Sequence, residues 1–485
     1  MHLHLDGQGP LYRQLTRALK AAIHDGAIPA GHRLPSTRDL AAQLGLGRNT
    51  IKAAFEQLVA EGYVSSAVGA GTFALPIGRL RRPAARSEAP AAPQSAYARR
   101  ARRAMADAGI QFHKALRFNF QYGNPVHEPA AVDAWRRELA HAASITVPSY
   151  PPAGGLPALR RVVADYLLRR RGIDCGAADV VIVSGVQQAM ALAARVLLDE
   201  QDRVVLEEPH YFGARQVFAA HGATLLTVPT DAEGMVAAAL PADPVKLVVA
   251  TPGNQFPSGR LMSTGRRQEL LAYAARTGCW ILEDDYDGEF RFDSRPVPAL
   301  LSLDPARRVI YAGTFSKVLF PSLRLGYMVV PAPLKLDFIN AKYLMDMGNP
   351  AVEQAAMARY IESGRFEQHL TRVVRMARQR RSALLEGLER HGRGLFELRG
   401  GGGAGTYLVA WMPALDHAEC AALIGYALGR GLGLYPIAPH YRVAPSCPGL
   451  MMAYTAMSPA EIGAATRLLG DCIDGAAARG LIPRL

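Results

Sequence analysis

Apolar residues near the start of the chain recur at helical spacing. Leu11, Leu15, Ala18, Leu19 and Ala22 follow Pro10 on one face, and Gly26 marks the stop. Ser36, with Asp39 three positions on, predicts an N-cap ahead of the run Leu40–Leu44, which Gly45 ends. A third helix is predicted from Arg48-Asn49-Thr50, with Ile51, Ala54, Phe55 and Leu58 on one face. Tyr63-Val64 and Thr72-Phe73-Ala74 flank Ser65–Gly71, whose small and turn-forming residues predict a short hairpin with a loose tip. From about Pro76 to Ile110 the pattern fades. Pro83, Pro90, Pro93, many alanines and the arginines from Arg79 to Arg103 leave few large apolar residues for a core. That stretch reads as a linker, helical at most over Arg99–Ala108.

Beyond about Phe112, buried-strand runs alternate with helical patterns. Strands are predicted at Val180–Val183, Arg203–Leu206, Thr224–Val228, Lys246–Thr251, Trp280–Asp284, Arg308–Ala312 and Leu325–Val329. The alternation predicts an α/β domain on a mostly parallel sheet, with a smaller α+β part after about Ile361. No internal repeat is visible. A chain of 485 residues is too long for one ordinary core. The expected division is a DNA-binding domain over 1–75, a linker over 76–110 and an effector domain over 111–485.

The first unit has the order of a winged helix-turn-helix, whose second helix enters the major groove. Arg48, Asn49, Thr50 and Lys52 open that helix, and Arg38 lies on the helix before it, so all five are candidates for phosphate or base contacts. A small helical oligomerisation module with surface charges is the plainer alternative. The formal net charge of +13 favours an acidic partner such as nucleic acid, although an arginine-rich composition alone would also produce it. Five cysteines, an odd number without metal-ligand spacing, argue against a disulfide framework or a zinc site and fit a reducing cytoplasm. The first residues carry no basic region followed by an apolar run, and stretches such as Val245–Thr251 are too short to span a bilayer. The expectation is a cytoplasmic protein with no membrane partner and no metal.

Four strings in the third region carry chemistry. Tyr311-Ala312-Gly313-Thr314-Phe315-Ser316-Lys317 puts a lysine just past a strand, able to form an imine with an aldehyde cofactor. Thr314 offers a hydroxyl, and Arg324 a planar fork suited to a phosphate dianion. Ile281-Leu282-Glu283-Asp284-Asp285-Tyr286-Asp287 ends a core strand in carboxylates, which need partners. A protonated pyridine nitrogen would suit Asp284, and Tyr286 could donate to the ring's phenolic oxygen. Ser184-Gly185-Val186-Gln187-Gln188 starts a helix where a phosphate could approach the backbone. Tyr211, in Glu207-Glu208-Pro209-His210-Tyr211, could stack on a ring. Taken singly, each string has a plainer reading: a solvated lysine, an acid cluster for a metal (though without nearby His or Cys), a packing glycine, a core aromatic.

Taken together, the strings resemble known families. Gly31-His32-Arg33-Leu34-Pro35-Ser36-Thr37-Arg38-Asp39-Leu40-Ala41, with Arg48-Asn49-Thr50 and Leu58-Val59-Ala60-Glu61-Gly62-Tyr63-Val64, closely resembles the GntR-type winged helix. Tyr150–Arg160, Thr251–Gly259, Glu283–Phe290 and Gly313–Lys317 resemble the fold-type-I aminotransferase pattern as it occurs in the MocR/GabR regulators, over nearly the whole chain. The resemblance implies pyridoxal 5'-phosphate (PLP) as cofactor. It casts Lys317 as the Schiff-base lysine, Asp284 as partner of the pyridine nitrogen and Tyr286 as donor to the phenolic oxygen, with Asn254 as a further contact there. Tyr211 becomes the stacking ring, and Gly185, Val186, Gln187, Thr314 and Arg324 the phosphate cup.

Three departures from the aminotransferase pattern stand out. Phe256-Pro257-Ser258-Gly259 replaces an Asn-Pro-Thr-Gly string, so the asparagine role passes to Asn254 or vanishes. Met451 falls where many aminotransferases hold the arginine for the substrate carboxylate; Arg442, or failing it Arg430, is the candidate substitute. Gly400–Gly405 is glycine-rich and expected to be a loop at the site mouth.

The resulting expectation is a transcription regulator whose binding to double-stranded operator DNA is modulated by PLP or by a PLP–amino acid aldimine. The resemblance further implies a head-to-tail homodimer and leaves room for an amino acid or amine effector. A working aminotransferase fused to a DNA reader is the alternative, and a PLP sensor needing no amino acid is a third. The missing arginine counts against physiological catalysis, while leaving an aminotransferase half-reaction possible.

Overall fold

The computed structural model describes residues 3–67, 71–76, 94–106, 112–113, 116–146, 149–292, 297–399 and 404–484. The hairpin tip at 68–70, most of the expected linker and Gly400–Gly403 lie outside them. The chain divides into two compact units, Met1–Pro93 and Gln94–Leu485.

In the first unit, α1 (Leu11–His24), α2 (Thr37–Leu44) and α3 (Arg48–Ala60) precede a hairpin of β1 (Val64–Ala67) and β2 (Gly71–Ala74). The apolar periodicity explains the packing: Leu15 and Leu19 of α1, Leu40 of α2, and Ile51, Ala54, Phe55 and Leu58 of α3 meet in one core with Val64 and Ala74. Ser36 caps α2, its hydroxyl accepting from the Asp39 amide at 3.2 Å. Gly45 ends α2 in the left-handed region at φ 65°, a conformation that costs glycine little.

In the second unit, an eight-stranded sheet runs in the order Val180–Val183, Gly326–Val329, Val309–Thr314, Trp280–Asp285, Leu247–Ala250, Arg203–Glu208, Thr224–Asp231, Gly234–Met235. Gly326–Val329 is antiparallel to both neighbours and Gly234–Met235 to its one; the remaining pairs are parallel. Val180–Val183 at one edge and the inner strands Leu247–Ala250 and Val309–Thr314 are buried from end to end, as their continuous apolar runs require. A smaller antiparallel sheet contains Tyr407–Trp411 and Gly449–Ala453 and is accompanied by the long helix Arg365–His391.

A helix does form within the arginine-rich stretch, over Ala96–Ala106. It belongs to the second unit. Arg100 donates to the carbonyls of Ala220 and His221, both at 3.0 Å, at the end of the helix Phe212–His221, and pairs with Glu200 at 2.9 Å. A cation at a helix C-terminus meets both the orphan carbonyls and the negative end of the dipole. No helix among the described residues is long and apolar enough to cross a membrane.

Leu40, fully buried between α2 and its neighbours, tests the first core. Leu40→Ala should destabilise that unit by about 2–5 kcal/mol. Hydrogen exchange of the α2 and α3 amides should accelerate, while amides of the large sheet keep their protection.

Candidate functional site

The site lies where adjacent strands end together. Val183, Gly326 and Thr314 stand in register across three neighbouring strands, and Asp284 pairs with Ala312 one strand further. Chain continuity then carries Ser184-Gly185, Arg324 and Lys317 to the same end of the sheet. Gly185 (φ 88°) caps the helix Val186–Leu197. A Cβ there would come within 3.7 Å of Thr314 Oγ1 and of the Arg324 guanidinium. Gly326 packs so closely that its own Cβ would meet the Gly313 carbonyl at 2.7 Å and Gly185 Cα at 2.9 Å. A helix N-terminus, a hydroxyl and a guanidinium thus converge, the donor set for a phosphate.

A cavity of about 140 Å³ opens beside this cradle, lined by Gly185, Val186, Gln187, Tyr211, Asp284, Tyr286, Thr314, Lys317 and Arg324, with Phe256 and Ser316. Asp284 is buried, and its Oδ1 has no hydrogen-bond partner among the described residues. Burial, reinforced by the neighbouring Asp285 charge and opposed by Lys317, pushes its carboxyl up to about 8. Burial lowers the Lys317 ammonium, with Asp287 and Asp284 pulling the other way. Tyr286 accepts from Asn254 Nδ2 at 3.0 Å, and its hydroxyl lies 3.2 Å from that of Tyr407. Asn254 Nδ2 also donates to Asp287 at 2.8 Å. Asn254, buried, thus stands one contact behind the cavity wall, and Gly405 abuts it.

A second compartment of about 150 Å³ adjoins Lys317, walled largely by Phe112, Tyr122, Tyr211, Phe256, Tyr286 and Tyr407. Met451 is buried in the same aromatic cluster. Neither arginine proposed to replace a carboxylate-binding arginine lines either compartment. Arg442 is exposed, and its backbone N–H donates to Glu208 at 2.5 Å. Arg430 is exposed too, past the end of the helix His417–Gly429, 3.4 Å from the Tyr426 hydroxyl. Nearness to Met451 in sequence put Arg442 forward, but the chain between them turns into a strand and carries the two apart.

Several groups around the site escaped sequence reasoning. Behind Asp284, Asp285 sits on the opposite face of the strand, as strand alternation requires. Arg171 Nε at 2.5 Å and the Tyr311 hydroxyl at 2.5 Å donate to it. Arg171 also pairs with Glu289 at 2.9 Å, which accepts from Tyr166 at 2.5 Å. The Asp284-Asp285 doublet was a legible signal for such a back-side partner. Tyr122, whose hydroxyl lies 3.0 Å from His440 Nε2, and Tyr407 had no local signal, because both arrive through long-range contacts.

In the first unit, Arg38, Arg48, Asn49 and Lys52 are exposed and Thr50 is half-buried. The last four open α3, and Lys52 also lies 3.8 Å from Glu56. Arg38 stands apart, on α2.

Comparison with known proteins agrees with both units. Residues 118–409 match the family model "Aminotransferase class I and II", and residues 11–74 match "Bacterial regulatory proteins, gntR family". The second unit is similar to the solved structure of LysN, the alpha-aminoadipate aminotransferase of Thermus thermophilus, complexed with N-(5'-phosphopyridoxyl)-L-leucine. The two are 27% identical with a TM-score of 0.68, covering 78% of this chain and 98% of that one. A GntR-family reader joined to an aminotransferase-fold domain defines a class of transcription regulator. The whole chain is 34% identical over 460 residues to the "Probable rhizopine catabolism regulatory protein MocR" of Rhizobium meliloti, covering 94% of this chain and 92% of the relative. It is 31% identical to the "HTH-type pyridoxine biosynthesis transcriptional regulator PdxR" of Corynebacterium glutamicum, over 77% of this chain and 78% of that one. The chain belongs to the MocR-type family of regulators.

The buried acids make stability depend on pH. Burial lifts the carboxyl of Asp284 to about 8 and those of Glu207 and Glu283 to about 7. A carboxyl raised in the folded state contributes stability that is complete below its unfolded value, about 4, and is lost as pH rises through the folded value. The contribution of these three acids to the stability of the ligand-free protein should therefore fall between about pH 4 and pH 8, and Asp284→Asn should remove its own share, on the order of a few kcal/mol. Urea unfolding across this range measures it; parallel profiles for the two proteins would contradict the assignment.

Proposed function

We propose that this chain is a cytoplasmic, PLP-binding regulator whose affinity for operator DNA changes when PLP, alone or with an amino acid or amine, occupies the cleft. The observation that carries the reading is the buried Asp284 carboxylate, left without a partner at Oδ1 in the same cavity as Lys317. An orphaned buried acid is costly unless a ligand pairs with it, and a protonated ring nitrogen is such a partner. The cradle at Gly185, Thr314 and Arg324 fits the phosphate of the same ligand. The residues present therefore suit PLP at both ends.

Bound PLP would supply an electrophilic aldehyde and an electron-withdrawing ring. The chain supplies the rest. Lys317, whose ammonium burial makes easier to deprotonate, supplies the amine as nucleophile. Asp284 pairs with the ring nitrogen, Tyr286 serves the phenolic oxygen with Asn254 behind it, and Tyr211 covers a ring face. Gly185, Val186, Gln187, Thr314 and Arg324 hold the phosphate. In the first unit, Arg48, Asn49, Thr50 and Lys52 enter a major groove at the start of α3, and Arg38 contacts the backbone or a base edge. The helix Lys335–Asp346 leaves Leu336, Tyr343 and Leu344 exposed, an apolar face that supports a homodimer, and the family resemblance adds a head-to-tail arrangement. Turnover as an aminotransferase is the lesser reading, because the buried, uncharged Met451 forfeits a bidentate carboxylate contact.

Lys317→Ala should abolish the visible absorbance that PLP gives the wild type; persistence of the colour would displace the site. Footprints on DNA upstream of the protein's own gene should differ with and without PLP or amino donors. Indifference to all of them would overturn the regulatory reading, and sustained turnover of amino donors with keto acids would favour the enzyme. Arg48→Ala should weaken operator binding by about 1–3 kcal/mol if the side chain reads a base. Lys52→Ala should instead reduce the salt dependence by about one counterion.

A further inference from the structure

We propose that Lys342 is a positioning residue for the phosphate cradle, acting through the side-chain amide of Gln188 on the Ser184-Gly185 turn. The inference rests on the cofactor reading above and gives a task to a residue that lies outside both compartments.

Lys342 is on the helix Lys335–Asp346, and its side chain is fully buried. An ammonium is seldom buried without a paired role, because desolvation is costly. Its Nζ donates to Asp346 at 2.9 and 3.1 Å and to Gln188 Oε1 at 3.2 Å. Gln188 Nε2 donates to Asp346 at 2.6 Å, and Gln188 Oε1 accepts the Ser184 N–H at 2.7 Å. The amide is therefore held in one orientation. An ammonium can only donate and an ionised carboxylate can only accept, so Gln188 must turn its oxygen to Lys342 and its NH₂ to Asp346. A rotated amide would set NH₂ against both the ammonium and the Ser184 N–H.

Ser184 is the point where this lock meets the cradle. Its hydroxyl accepts from Asn349 Nδ2 at 3.0 Å, and its carbonyl accepts from Arg324 Nη2 at 2.6 Å. Three separate stretches of chain thus grip one residue, by its N–H, its hydroxyl and its carbonyl. The next residue, Gly185, caps the helix Val186–Leu197, and Gly185, Val186 and Gln187 line the cavity. Arg324, the guanidinium of the cradle, depends on the same carbonyl. Loosening Ser184 would misdirect the anion donors at one end of the cleft and leave Asp284, Tyr286 and Lys317 at the other end in place.

That asymmetry gives the test. Wild type and Lys342→Met are titrated calorimetrically with PLP and with pyridoxal, which lacks the phosphate. The expected result is a loss of PLP affinity of about tenfold or more, the worth of a misaligned charge-assisted hydrogen bond, with pyridoxal affinity unchanged. Gln188→Met should reproduce the selective loss, and the double variant should bind PLP no more weakly than Gln188→Met alone. Equal losses for both compounds, or no loss, would overturn the role of Lys342. Should Lys342→Met fail to fold, Gln188→Met carries the same comparison, and an unselective effect there overturns the proposal. A wild type that binds neither compound would sink the cofactor reading itself, an outcome distinct from a wild type that binds both.

Discussion

An acid that the chain itself leaves unsatisfied organises the second unit. Asp284 is carried to the end of a buried strand, where its Oδ1 meets no donor among the described residues. Its neighbour Asp285, on the strand's other face, is the opposite case: Arg171 and Tyr311 both donate to its Oδ2. A fold selected for stability alone would pair both or bury neither, since an unpaired buried carboxylate is among the most expensive groups a core can hold. Rules of polar satisfaction are broken chiefly where a ligand is expected to restore them. Asp284, facing the cavity that also holds Lys317, is such a place.

The opposite end of the cleft is built by register. Val183, Gly326 and Thr314 are neighbours because an antiparallel strand is inserted between two strands that run the same way. This insertion brings the turn after one strand and an arginine from the loop joining two adjacent antiparallel strands to a single helix N-terminus. The close approach of Gly326 to Gly185 is possible only because Gly326 has no side chain. The cradle is therefore a property of the sheet, with the loops filling positions that the sheet has assigned.

The first unit works by different physics. Its three helices and hairpin enclose a core drawn almost wholly from residues close in sequence, so periodicity and caps suffice to specify it. Of its candidate contact residues, Arg38 on α2 and Arg48, Asn49 and Lys52 on α3 are exposed, outside the stripe of Ile51, Ala54, Phe55 and Leu58 that faces the core, while Thr50 is half-buried. A regulator needs these two kinds of construction together: a self-contained reader, and a ligand domain whose site is assembled from distant segments.

The sequence by itself determined the three helices of the first unit with the caps at Ser36 and Gly45, the main strands of the large sheet, and the strings that carry Gly185, Tyr211, Asp284, Tyr286, Thr314 and Arg324 to the cavity with Lys317. Those features are written locally, in side-chain period, in glycine placement and in short strings whose members lie within one turn or strand end. Only the tertiary structure decided the aromatic wall of Tyr122 and Tyr407, the pairing of Arg171 with Asp285, the grip of Lys342 on Gln188, and the exclusion of Arg442 and Arg430 from the cleft. Each of these joins residues far apart in the chain or separates residues close in it. Strand register and helix packing settle such distances, and no local spacing encodes them.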